Sequence, residues 1–284
     1  MKILCQQPAS RGAWRALAAL CLAVMLTGCA LFAPAPSAPS TQAPQPQPSQ
    51  FQQLTDALIE RARRLDAMQA EAVMDYAAGK QRVKVREEVA IKRPASLRVE
   101  ALTPFGVAAV VAANGTTVDI YQPSDNTFYR GAATADTLNR FARIPLPPEQ
   151  AVKLLMGLLP QGEADFAAPT SVRSENGLLV GSYRMPEGDV DELGFAGGQL
   201  RMVRTRGQSG DGYEVNYSDY RDIGGLQFAH QLDAKFLNSG THLNVKYSNV
   251  IVNPTLSDSE FVLVPRGTTR IIDLDYPAAT GSNG

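Results

Sequence analysis

After residue 29 the chain contains no cysteine, and across 284 residues it has one tryptophan and two histidines. Cys5, Cys21 and Cys29 are the three cysteines. The rest of the chain is therefore closed to internal disulfides, thiolate zinc sites, iron–sulfur sites and a cysteine nucleophile. His230 and His242 are too few for most metal sites, and each falls in an expected strand. Neither sign of charge is in excess: 27 basic and 28 acidic residues give a net charge of −1, which leaves no electrostatic footprint for nucleic acid. Catalytic motifs are missing too. Gly207-Gln208-Ser209-Gly210 has the wrong spacing for a nucleophile elbow, and there is neither an H-E-x-x-H run nor a phosphate-cradling loop. Asp189, Asp191 and Glu192 cluster beside a hairpin and read as a solvated turn rather than an acid–base pair. The expectation is a protein that is not an enzyme, with no cofactor and no metal. A hydrophobic content of 44% is that of a globular chain.

The amino terminus reads as a targeting segment. Lys2, Arg11 and Arg15 form a basic leader without acids, followed by an apolar run from Ala16 to Leu26. That run is too short to span a bilayer, which takes about 20 residues. It ends in Leu26-Thr27-Gly28-Cys29, which resembles a bacterial lipobox and implies a signal peptide over 1–28 with acylation of Cys29. Loss of 1–28, with its three basic residues, leaves 256 residues with a net charge of −4. Ala30 at the following position implies, by the sorting rule of such lipoproteins, the outer membrane. Residues 29–50 read as a tether: six prolines lie between Ala33 and Gln50, with no charged residue. Such a stretch buries no core and favours extended conformations.

Residues 51–275 read as one β-rich domain, and 276–284 as a flexible tail. A helix is expected first. Ser49 and Gln52 form a capping-box pattern, and Phe51, Leu54, Leu58, Leu65 and Met68, with Ala62 and Ala72, recur at helical spacing. Strands follow. In Arg82–Lys92, Val83, Val85, Val89 and Ile91 share one face and charged residues the other, which is the period of a half-buried strand. Glu87 interrupts that apolar face, so a bulge or a polar partner is expected there. Asn114-Gly115, Asn176-Gly177, Gly197-Gly198 and Ser239-Gly240 mark hairpins. Eleven to thirteen strands are expected in an antiparallel sheet large enough to curl. Two helices interrupt it, near Thr134–Phe141 and Pro148–Leu159. The second is apolar nearly all round and must be covered on most sides. The fold class is mainly β (α+β): a large antiparallel sheet curled into an unclosed half barrel, with a helical lid over an apolar cavity.

Three stretches resemble the lipoprotein-localisation (LolA/LolB-like) family. These are Arg98–Gly106, Ile144–Pro147 with the apolar helix ending at Gly157-Leu158-Leu159-Pro160, and the late strands around Tyr217–Tyr220 and Asn244–Val250. The resemblance implies an unclosed barrel with a helical lid and a cavity for acyl chains of lipoproteins. It also implies an outer-membrane lipoprotein facing the periplasm, with lipid or lipoprotein acyl chains and a periplasmic carrier protein as partners. On this reading Val83, Val85, Val89, Ile91, Leu155 and Leu159 line the cavity, and Phe105 matches an exposed loop position that assists membrane delivery. Phe105 departs from the family's leucine and also reads as a core aromatic. The tail beyond Asn253 departs from the receptor branch. The alternative is a non-catalytic structural or assembly lipoprotein whose core is filled and which docks on another envelope protein.

Overall fold

The computed structural model describes residues 48–142 and 144–275. Helix α1 (Pro48–Arg63) leads into six strands: β1 (Ala67–Ala78), β2 (Gln81–Lys92), β3 (Ser96–Thr103), β4 (Gly106–Asn114), β5 (Thr117–Gln122) and β6 (Thr127–Ala132). Helices α2 (Ala135–Ala142) and α3 (Pro148–Leu155) follow. A second meander comprises β7 (Ser171–Glu175), β8 (Leu178–Arg184), β9 (Val190–Ala196), β10 (Gln199–Arg206), β11 (Gly212–Ile223), β12 (Leu226–Phe236) and β13 (Thr241–Val252), and β14 (Arg270–Asp273) comes last.

All fourteen strands form one sheet, in the order β14-β6-β5-β4-β3-β2-β1-β13-β12-β11-β10-β9-β8-β7. The two meanders meet where β1 pairs with β13, and the sheet stays open because β14 and β7 lie at opposite ends. This is the expected unclosed half barrel, with one more strand than the upper expectation. One pairing departs from the antiparallel rule: β14 runs parallel to β6. The segment after β13 crosses the outer face of the sheet, where Leu256 and Phe261 pack on Ala67 and Ala90, and a crossover of that length permits a parallel return. The Asp119 carboxylate, buried on β5, accepts from Arg130 at 2.7 and 2.8 Å and from the Leu263 amide at 3.2 Å, which ties the crossing segment down.

Register shifts at Gln69/Glu71, Ala101/Leu102 and Leu200/Met202 increase local twist and help a sheet of this width to curl. Asn176-Gly177 forms a two-residue turn with both residues at positive φ, 50° and 80°, as a type I′ hairpin requires. The first helix is shorter than its apolar spacing predicts. It begins at Pro48, inside the stretch read as tether, so Ser49 does not occupy the capping position. It ends at Arg63, and Met68 and Ala72 belong to β1, on the face that packs inward. Alanine-rich β1 reads as helix locally, but pairing on both edges, with β2 and β13, decides its conformation.

The core lies on the concave face. Phe51 and Leu58 of α1 join Val152 and Leu154 of α3, Met156, Leu158 and Leu159 beyond it, and inward residues of both meanders in one cluster. Phe51 is fully buried and packs edge-on to Phe195, with ring centroids 5.3 Å apart. Its seat is Gly181 on β8, where an added Cβ would stand 2.3 Å from the Phe51 ring. Gly181→Ala is therefore expected to displace α1 and lower stability by about 1–3 kcal/mol in denaturant titration; an unchanged midpoint would contradict this packing.

Candidate functional site

Helix α3 ends inside the core, where the helix itself cannot meet all the carbonyls of its last turn and of the turn beyond it. Three side chains receive them. Tyr217 Oη donates to the Leu154 carbonyl at 2.9 Å and Tyr247 Oη to that of Leu155 at 3.3 Å. Arg61 of α1 donates to the carbonyls of Met156 and Gly157 at 3.0 and 2.6 Å. Burial lowers the Arg61 pKa and raises those of both tyrosines, so each acts as a fixed donor. Tyr220 donates to the Leu200 carbonyl, and burial pushes its pKa up to about 12. Tyr217 and Tyr247 thus fasten a helix end to the sheet.

Beyond the helices, the concave face over β2–β4 is left uncovered. It forms a groove of about 930 Å³, within the usual range of small-ligand sites. Met74, Val83, Val85, Val99, Ala109 and Val111 give it an apolar lining. The expected cavity residues divide between groove and core. Val83, which is 50% exposed, and half-buried Val85 line the groove. Val89, Ile91 and Leu159 lie buried in the packed core, and Leu155 is half-buried against it. The lid therefore sits on filled core, and the open space lies beside it. A second depression, of about 620 Å³, has a mixed lining, with Glu71, Glu88, Arg98 and Glu100 beside Ala70 and Ile251.

Glu87 is the acid within the groove lining. It is only 7% exposed and stands opposite Ala72 on β1 and Ala101 on β3 in unbroken local register. The bulge or polar partner expected there is not what the structure has. Among the described residues no hydrogen bond or ion pair reaches its carboxyl, and burial alone pushes its pKa from 4.5 up to about 7.

At the same end of the sheet, Phe105 occupies the tip between β3 and β4 and is 100% exposed, so it is not a core aromatic. Thr103 Oγ1 accepts from the Phe105 amide at 3.3 Å and donates to the Gly106 carbonyl at 2.9 Å, which holds the tip in shape. Thr103 and Pro104 border the groove, so Phe105 stands directly beside its mouth. Lys80, Arg82, Lys84 and Arg86 are exposed on the adjacent hairpin.

The carboxylates beside the β9 hairpin are not a solvated turn, as their sequence suggested. Asp191 and Glu192 are both buried, and as successive strand residues they point to opposite faces. Asp191 accepts from Thr205 Oγ1 at 2.6 Å, and burial pushes its pKa up to about 6. Glu192 is held by Arg173 and Arg204, each at 2.8 Å. Facing apart, the two carboxyls form no acid–base pair. Among the described residues no group of three or more histidine, cysteine, aspartate or glutamate side chains could hold a metal. No helix among them is long and apolar enough to cross a membrane. Cys29, the leader over 1–28 and the tail over 276–284 lie outside the described residues.

No protein-family model matches the chain, and no curated protein matches it. Among solved structures, the fold is similar to that of a DUF1329 family protein from Desulfovibrio piger. The TM-score is 0.52 at 13% identity, over 77% of this chain and 98% of that one. A LolA superfamily protein from Nitrosomonas europaea superposes with a TM-score of 0.47 at 13% identity, over 74% and 97% of the two chains. A putative outer membrane lipoprotein-sorting protein domain from Vibrio parahaemolyticus gives 0.49 at 9% identity, over 76% and 97%. The first likeness is one of fold, and the two below 0.5 carry no further weight. The architecture itself, an open fourteen-stranded half barrel with helices on its concave face, is of the kind that the lipoprotein-localisation resemblance implied.

Two measurements probe this geometry. Arg61→Met leaves two buried carbonyls without donors and is expected to lower unfolding free energy by about 2–4 kcal/mol; a loss below 0.5 would show that they find other partners. A carboxyl whose pKa rises on folding stabilises the fold while protonated. That contribution is complete below the unfolded pKa of 4.5 and is lost as pH rises through about 7. The difference corresponds to about 3 kcal/mol. Glu87→Gln is therefore expected to change stability little at pH 4 and to raise it by about 2–3 kcal/mol at pH 8. An equal effect at both pH values would contradict the assignment.

Proposed function

We propose that the chain is a lipid-anchored envelope protein that holds acyl chains reversibly in the groove over β2–β4 and takes part in localising lipoproteins or lipids to the outer membrane. The observation that carries this reading is an open apolar groove of about 930 Å³ whose mouth is flanked by a fully exposed phenylalanine. Each methylene taken from water into the groove contributes about 0.8 kcal/mol, so a partly seated chain binds tightly enough to be held and loosely enough to be released. No covalent chemistry is required, and the protein is not an enzyme on this reading. Phe105 is the membrane-delivery residue. The basic side chains of Lys80, Arg82, Lys84 and Arg86 favour an anionic membrane surface at the same end. Cys29 carries the acyl anchor, the proline-rich segment up to helix α1 is the tether, and a periplasmic carrier protein supplies the cargo. The periplasmic face of the outer membrane is the proposed location. A half-barrel fold and the lipobox-like Leu26-Thr27-Gly28-Cys29 support membership of the LolA/LolB-like family.

Mass spectrometry of lipids extracted from the purified protein is expected to find acyl chains in near-stoichiometric amount; a lipid-free protein that also takes up none from vesicles would end this reading. Phe105→Glu is expected to leave chain binding intact and slow transfer to vesicles at least several-fold, whereas unchanged transfer would remove its role. Palmitate labelling of the protein is expected to disappear in Cys29→Ser.

A further inference from the structure

The groove contains one group that an acyl-chain site has no need of. Glu87 sits on its floor, between Val85 and Val89 along β2 and between Ala72 and Ala101 across the neighbouring strands. Every one of these neighbours is apolar; the Tyr247 hydroxyl, on β13 beyond Ala72, feels the Glu87 charge but donates to the Leu155 carbonyl. The charged residues bordering the same groove, Lys84 and Arg86, are exposed at its rim and neither bonds the Glu87 carboxyl. Glu87 is only 7% exposed and no described residue bonds its carboxyl, yet the carboxyl oxygens are not sealed from solvent; covering them without a partner would cost about 1–3 kcal/mol, and more for the charged form. Its side chain lines the groove, so the groove is the direction from which a partner can arrive.

We propose that Glu87 is the polar recognition group of the groove, and that the ligand it selects is an amphiphile presenting N–H donors, as an ammonium or an amide, next to its hydrocarbon chain. This rests on the groove being the acyl-chain site. A plain hydrocarbon or ester chain seated over Glu87 removes its remaining water and supplies nothing in return. A fatty-acid carboxylate adds a like charge at close range. An ammonium pairs with the carboxylate and keeps it ionised, and an amide N–H supplies the missing hydrogen bond. Recognition thus comes from the one acceptor on the floor, and affinity from the apolar walls.

The test uses the full chain carrying Cys29→Ser, to remove the proposed anchor, and calorimetric titration at pH 8 with three probes of one chain length: decylamine, N-decylacetamide and decanoate. The unsubstituted groove is expected to bind the amine and the amide about tenfold more tightly than decanoate. Glu87→Leu is expected to bring all three within about twofold of one another. Glu87→Gln, which keeps a neutral acceptor, is expected to lose the preference for the amine and retain that for the amide; the amine and amide arms thereby separate charge pairing from hydrogen bonding. Equal binding of decanoate and decylamine, or a preference that survives Glu87→Leu, overturns the role of Glu87 while leaving the groove as an acyl-chain site. Binding of none of the probes overturns both.

Discussion

The buried carboxyl end of α3 is the constraint on which the arrangement depends. A helix that ends in a core must have its terminal carbonyls met, and here Tyr217, Tyr247 and Arg61 meet them from β11, β13 and α1. Those contacts fix both helices over one part of the concave face. The Ile91 and Leu97 end of β2 and β3 then falls inside the packed core, and the Val83 and Thr103 end does not. The groove is what remains of the concave surface once the helices have been placed. Its lining comes from β1 to β4 and the β3–β4 turn, while α3 is held apart from it by hydrogen bonds and α1 by the seat of Phe51 on Gly181.

Within the groove two demands oppose each other. Apolar walls favour a chain with no directionality, whereas the Glu87 carboxyl penalises any chain that covers it without bonding it. Burial has already moved that carboxyl to a pKa of about 7, near neutrality, so the site stands between a neutral and an ionised form. The exposed Phe105 and the basic hairpin beside it stand outside this balance. They bear on where the mouth is presented rather than on what it holds.

Much of the fold was legible in the sequence because its signals are local. Alternation in Arg82–Lys92 and the turns at Asn114-Gly115, Asn176-Gly177 and Gly197-Gly198 placed strands within a residue or two of their observed ends. What failed was non-local. Strand β1 has the composition of a helix and takes its conformation from pairing on both edges, with β2 next along the chain and with the distant β13. The parallel β14 depends on a segment that crosses the outer face. The site was half legible: the period of β2 put Val83 and Val85 on the right face, but nothing in that period says where the helices stop and the groove begins. Glu87 was visible as a break in the pattern; only the lack of a partner in three dimensions turns the break into a recognition group. The tyrosines and Arg61 carry no sequence signal for their role, because their acceptors are backbone carbonyls some 60 to 96 residues away.

The central claim, that the uncovered face over β2–β4 is where the chain is held, is tested most directly by titrating the isotopically labelled protein with a spin-labelled fatty-acyl chain and recording paramagnetic broadening of its backbone amides. The account predicts broadening concentrated at Val83, Val85, Ala101 and Ala109. Broadening confined to the outer face, or spread evenly over the surface, would contradict it.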